Sequence, residues 1–171
     1  MTPDALRALQ APLKERYRQD PEAAVVTLRA AGDVAAPSVT CRVTTGRALV
    51  EAGLHPATGG NGLSACSGDM LLEALVACAG VTLSAVATAL GIALDGGTVT
   101  AEGDLDFRGT LGVAKDAPVG FREIRLNFDL STAAPAEQVA KLRELTERYC
   151  VVYQTLAKSP PLTVTHRVQS P

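Results

Sequence analysis

The stretch Met70–Leu90, MLLEALVACAGVTLSAVATAL, decides how this chain is read. It holds one charge, Glu73, in 21 residues and is stopped by Gly91. Its length allows a membrane span, yet no basic cluster flanks it. Nearly half of it is Ala, Gly, Ser or Thr. The expectation is a central helix covered by protein on all sides.

Outward from that helix, two segments alternate as strands. In Val99–Arg108, Val99, Ala101, Leu105 and Phe107 alternate with Thr100, Glu102, Asp104, Asp106 and Arg108. In Phe121–Leu130, Ile124, Leu126, Phe128 and Leu130 alternate with Arg125, Asn127 and Asp129. Each has one apolar and one wet face, as in an antiparallel sheet covered on one side. Ala134–Tyr149 is expected as an amphipathic helix with the stripe Val139, Leu142, Leu145 and Tyr149, and Pro135 suits its first turn. Upstream, Ala23–Arg29 and Ser38–Thr45 are rich in Val and Thr, and Ala48–Glu51 adds a short strand. Gly53–Ser64 carries four glycines and a proline in twelve residues and reads as a long loop. Residues 3–20 form an amphipathic helix through Leu6, Leu9, Leu13 and Tyr17, kinked or split at Pro12. After Pro160 and Pro161, Leu162–Val168 reads as a last strand. The order gives an α+β fold rather than a repeating βαβ unit.

Composition narrows function. The chain has 171 residues, enough for one domain, with 47 % hydrophobic and 20 % charged residues and a net charge of −2. That excludes a disordered chain and a binder of nucleic acid held by phosphate neutralisation. With three Phe, three Tyr and no Trp, a platform for stacking bases is not expected. There is no glycine-rich phosphate loop, and His55 and His166 lie far apart, without a neighbouring ligand type at metal spacing. No cofactor is expected, and the N-terminus lacks the pattern of a signal peptide, which makes a cytoplasmic, reducing location the default.

Four cysteines remain: Cys41, Cys66, Cys78 and Cys150. Cys78 lies mid-way along the apolar helix, with Leu71, Ala74, Leu75, Val81, Thr82 and Ala85 on its face. Cys150 stands in Arg148-Tyr149-Cys150-Val151-Val152-Tyr153. As residue types, both fit a small buried hydrophobe as well as a reactive thiol, since reactivity requires a depressed pKa and access. Cys41 alternates with Val39 and Val43 and faces a core. Cys66 sits in the loop.

The stretch Ser67-Gly68-Asp69-Met70-Leu71-Leu72-Glu73-Ala74-Leu75-Val76-Ala77-Cys78 resembles the P-x-E-L-L-x-A-L-A-x-C helix of the OsmC/Ohr family. That family comprises osmotically induced and organic-hydroperoxide-resistance proteins. Ala-Pro-Val-Gly-Phe at 117–121 and Arg148-Tyr149-Cys150-Val151-Val152-Tyr153-Gln154-Thr155-Leu156 resemble its second half. The resemblance spans about Val25 to Val168 and divides the chain into an N-terminal helical extension, 1–22, and an OsmC-like domain, 23–171.

It implies antiparallel sheets wrapped around central apolar helices in an intertwined homodimer. The activity implied is that of a cytoplasmic, antioxidant thiol peroxidase. Its substrate is an organic hydroperoxide, and an external dithiol of the dihydrolipoyl type regenerates it. By the same resemblance Cys78 is the peroxidatic thiolate, Cys150 the resolving thiol, and Asp69 the carboxylate that holds an activating arginine. Arg47 is the first choice for that arginine, with Arg42 and Arg29 as rivals. The sequence departs from the family where Gly68 and Val151 stand in place of prolines and Asp69 in place of a glutamate. Asp69 also fits a plain helix-start carboxylate, and Glu73 is a substitute for the family's acid. Two other readings stay open. One is a non-enzymatic protein of this fold that binds an apolar ligand or partner in the dimer groove. The other is a metal site built from Cys78, Cys150, His55 and Cys66.

Overall fold

A computed structural model describes residues 3–35, 40–43, 52–63 and 65–168. Helix α1 (Pro3–Gln19) runs through Pro12 as one element rather than two shorter pieces. Tyr17 anchors it. The ring is buried and its hydroxyl donates to the Ala57 carbonyl at 2.7 Å. A 3-10 turn, Pro21–Ala24, occupies the start of the first expected strand, and Pro21 in its first positions fixes the turn. Strand β1 (Val25–Ala35) then continues beyond Arg29, where the first expected strand ends, and β2 (Thr40–Val43) pairs back on it. The segment Ala48–Glu51 lies outside the described residues.

Helix α2 (Ser67–Leu90) starts three residues earlier than expected and ends on Gly91, whose φ of 66° suits glycine. Strand β3 (Gly96–Asp106) follows, then a single turn α3 (Phe107–Thr110), β4 (Phe121–Ser131), α4 (Ala136–Tyr149) and α5 (Val151–Ala157). The four described strands form one antiparallel sheet in the order β2-β1-β3-β4. Helix α2 packs on one face of it, against β1, β2 and β3, and α4 and α5 pack on α2. This is the expected α+β architecture of sheet and apolar helices.

The core is where the alternation placed it. Val99, Ala101, Leu105 and Phe107 meet Leu72, Leu75, Val76, Ala79 and Leu83 of α2. Gly103 lets the Phe121 ring cross β3. A Cβ there would sit 2.5 Å from Phe121 Cε1 and 3.4 Å from Leu72 Cδ2. On the other face of the sheet Asp104 takes two bonds from the Arg125 guanidinium, at 2.6 and 3.0 Å, and one from the Thr27 hydroxyl.

Three expectations fail. Tyr149 does not join the stripe of α4. It is exposed, with the Arg148 guanidinium 5.4 Å from its ring, and Thr146 is buried in its place with its hydroxyl satisfied by the Leu142 carbonyl. Helix α5 was not foreseen, because the β-branched Val151 and Val152 favour extended chain. Leu162–Val168 is not a strand. Leu162, Val164 and Val168 are 88, 91 and 82 % exposed. A strand is stable only on a sheet edge, and the segment that follows Pro160-Pro161 reaches none in this chain.

Helix α2 is also only half covered. Leu72, Leu75, Val76, Ala79, Leu83 and Ala87 are buried, whereas Met70, Leu71, Ala74, Val81 and Ala85 form an exposed apolar stripe along the opposite side. Two cavities, of about 560 and 790 Å³, lie between β4 and the helices α4 and α5, and share Leu126, Phe128 and Arg143.

Candidate active site

Helix α2 carries Cys78 on the border between its buried face and its exposed stripe, half-buried. Cys150 is the single residue between α4 and α5 and is fully buried, at 0 % exposure. It closes one helix, its N–H donating to the Thr146 carbonyl at 2.9 Å, and opens the next, its Sγ accepting the Tyr153 N–H at 3.4 Å. The break in direction at Cys150 presents the first amides of α5, which have no intrahelical carbonyl to bond, to the Cys78 sulfur.

The fold therefore brings the two thiols, 72 residues apart in sequence, into one hydrogen-bonded group. Both are free thiols. Their acidities are driven apart. Burial pushes the Cys78 thiol up, but the Val152 amide, the Cys150 thiol, the Val151 amide and the Thr82 hydroxyl outweigh it, so Cys78 lies below the ordinary thiol value. Burial is also the main influence on Cys150. The hydrogen bond to Cys78 and the charge on that sulfur add to it, against the Tyr153 and Val152 amides, and Cys150 is pushed up to about 11. One sulfur is poised to carry a negative charge and the other to keep its proton. A depressed thiol with access is a nucleophile, and a buried, protonated one beside it is a donor.

Asp69 stands elsewhere. Nine residues before Cys78, it is about 13 Å away along the helix axis. Among the described residues the charge that acts on it is that of His55. Burial raises the Asp69 carboxyl and the His55 charge opposes this; burial lowers His55 and Asp69 opposes that. The His55 ring stacks on Phe107 at 4.9 Å, and its Nδ1 accepts the Ala57 N–H at 3.0 Å. Arg47 lies outside the described residues, and Arg42 and Arg29 lie in β2 and β1, where only the backbone is described. Glu73 and Cys66 are half-buried, and His166 is in the exposed tail.

Sequence reasoning selected both cysteines but missed the helix-terminal amides and did not single out Thr82 from its face. The amides carry no side-chain signature. Thr82 does leave a trace, since a hydroxyl four residues after a helical cysteine shares its face.

The class that these features define is a small α+β protein whose sheet packs on an apolar helix and whose helices bring two thiols together. The sequence profile of OsmC-like proteins matches residues 59–165. The chain belongs to the OsmC-like family, which is peroxidase-related as a whole. No curated protein matches the sequence. Among solved structures, an OsmC-like hydroperoxide resistance protein from Jannaschia sp. CCS1 superposes with a TM-score of 0.60 at 16 % identity, covering 86 % of this chain and 95 % of that one. At that identity the likeness shows the shared fold.

Proposed function

We propose that this protein is a thiol-dependent peroxidase that reduces organic hydroperoxides through Cys78 and Cys150. The observation that carries the reading is the opposite displacement of two hydrogen-bonded thiols, one below and one far above the ordinary value. The Cys78 thiolate attacks the terminal oxygen of the hydroperoxide, the O–O bond breaks, and the alkoxide leaves as the alcohol once a proton reaches it, with Cys78 as a sulfenic acid. Cys150 then attacks the sulfenic sulfur. A disulfide forms and the hydroxyl departs as water. An external dithiol, of the lipoyl type, reduces that disulfide to the two thiols and is itself oxidised to a disulfide.

The apolar residues beside Cys78, among them Leu71, Ala74 and Val81, favour an organic peroxide over hydrogen peroxide. The same stripe, too apolar for a solvated helix face, supports a homodimer in which a second copy covers it. The unpaired apolar tail Leu162–Val168 supports the same assembly. A reducing cytoplasm suits a cycle that starts from free thiols. Asp69 and an arginine, Arg47 in first place with Arg42 and Arg29 as rivals, complete the proposed machinery.

Mixing the reduced protein with tert-butyl or cumene hydroperoxide and titrating free thiols tests the activity. Loss of two thiols per chain, abolished by Cys78→Ser, is expected, and thiol loss indifferent to that substitution refutes it. Light scattering tests the dimer, with Val81→Lys expected to halve the mass.

A further inference from the structure

The peroxidase reading leaves one proton unaccounted for on each side of the cycle. Breaking the O–O bond releases an alkoxide, a strong base that departs readily only if a proton reaches it. Resolution then requires a Cys150 thiolate, yet Cys150 is fully buried, its sulfur accepts the Tyr153 N–H, and its side chain is hydrogen-bonded to Cys78. Among the described residues the groups that act on it are Cys78 and the Tyr153 and Val152 amides, and its 0 % exposure closes it to solvent. The oxygen that arrives at the Cys78 sulfur gives this thiol a second base besides the Cys78 thiolate that it already faces.

We propose that Cys150 is the acid of the first step as well as the nucleophile of the second. The inference rests on the peroxidase reading and balances as follows. The Cys78 thiolate forms an S–O bond to the terminal peroxide oxygen and the O–O bond breaks. The new sulfenic hydroxyl passes its proton to the alkoxide, giving the alcohol, and the Cys150 S–H replaces it on the sulfenic oxygen. The Cys150 thiolate so formed attacks the Cys78 sulfur, the S–S bond forms and hydroxide leaves, taking a proton from solvent. Two electrons pass from the two sulfurs to the peroxide, and no other reductant enters before the disulfide stage. The buried thiol is therefore switched on by the oxidation that it is needed to resolve. Before the peroxide arrives it stays protonated and inert, which protects the pair from idle exchange with other disulfides.

Dependence on the leaving group separates this role from plain packing. A peracid releases a carboxylate, which needs no proton to leave; tert-butyl hydroperoxide releases an alkoxide, which does. Reduced wild type, Cys150→Ala and Cys150→Ser are each oxidised in a single turnover. The sulfenic acid is trapped with dimedone in the two variants and wild type is followed by the loss of its two thiols, at a pH where alkylation shows Cys78 to be fully ionised in each. For Cys150→Ala the rate with tert-butyl hydroperoxide is expected to fall by about tenfold to a hundredfold relative to the rate with peracetic acid, the low end of what general acids supply. Cys150→Ser, with a weaker acid in nearly the same volume, should fall between. In wild type, a solvent deuterium slowing of the alkyl hydroperoxide reaction, absent with the peracid, reports the same proton without any substitution. An unchanged ratio between the two oxidants in Cys150→Ala, or equal isotope effects, overturns the inference. Wild-type Cys78 that reacts with neither oxidant overturns the peroxidase reading itself.

Discussion

Alkylation across pH reads the split between the two thiols directly. For Cys150, a pKa of about 11 leaves about one molecule in a thousand ionised at pH 8, against about one in ten for a thiol at 9, by the ordinary titration relation. Only the thiolate alkylates, so ionisation alone slows Cys150 about a hundredfold, and its complete burial slows it further. Cys78, pulled below 9 by the Val151 and Val152 amides, Thr82 and Cys150, should be more than half ionised before pH 9. Reduced protein is given a short pulse of iodoacetamide from pH 6 to pH 10, quenched, unfolded, and the remaining thiols labelled with a heavier reagent. Mass spectrometry of the peptides then gives each cysteine its own curve, with Cys78 labelled first and Cys150 last. The raised pKa of Cys150 also enters stability. Its folded pKa exceeds its unfolded one, so the stabilisation it brings is fully present below about pH 9 and is lost as pH rises to about 11. The loss amounts to roughly 3 kcal/mol at about 1.4 kcal/mol per unit, and it should be absent in Cys150→Ala. Equal labelling of the two cysteines at pH 8, or a Cys150 curve with its midpoint at or below 9, refutes the reasoning.

Replacing Thr82 by Val should move the Cys78 alkylation midpoint up in pH, while Thr82→Ser should leave it near wild type; identical curves would remove the hydroxyl from the site. Gly103→Ala drives a methyl into the Phe121 ring and should cost about 2 kcal/mol. In a chain of this length that is a fall in melting temperature of about 4–8 °C, read by circular dichroism. Asp104 is held down to about 2 by Arg125 and Thr27. Because its folded pKa is depressed, its contribution is present above about pH 4 and lost as pH falls to 2, so Asp104→Asn should flatten that part of the acid unfolding curve.

The sequence by itself determined the elements whose period is unambiguous. The charge-poor run Met70–Leu90 had to be a helix with a face in the core, and the alternation in Val99–Phe107 and Phe121–Leu130 had to make strands with one dry face. It also put Cys78 and Cys150 in named contexts. It erred where local preference and tertiary demand diverge. Val151 and Val152 are poor helix formers, yet they turn into α5 because Cys150 stays in the core and the chain must leave it. Leu162–Val168 alternates like a strand but finds no edge, because pairing is a property of two segments and a pattern describes one. Asp69 could not be assigned a partner from spacing, and in the tertiary structure it feels the charge of His55, which arrives from the glycine-rich loop.

Only the tertiary structure decided the chemistry. Burial and hydrogen bonding set the acidity of a thiol, and both depend on groups brought together from distant parts of the chain. Nothing in the letters sets the acidity of Cys150 apart from that of Cys78. Their difference comes from backbone amides, which no sequence motif displays, and from the one face of α2 that this chain leaves uncovered.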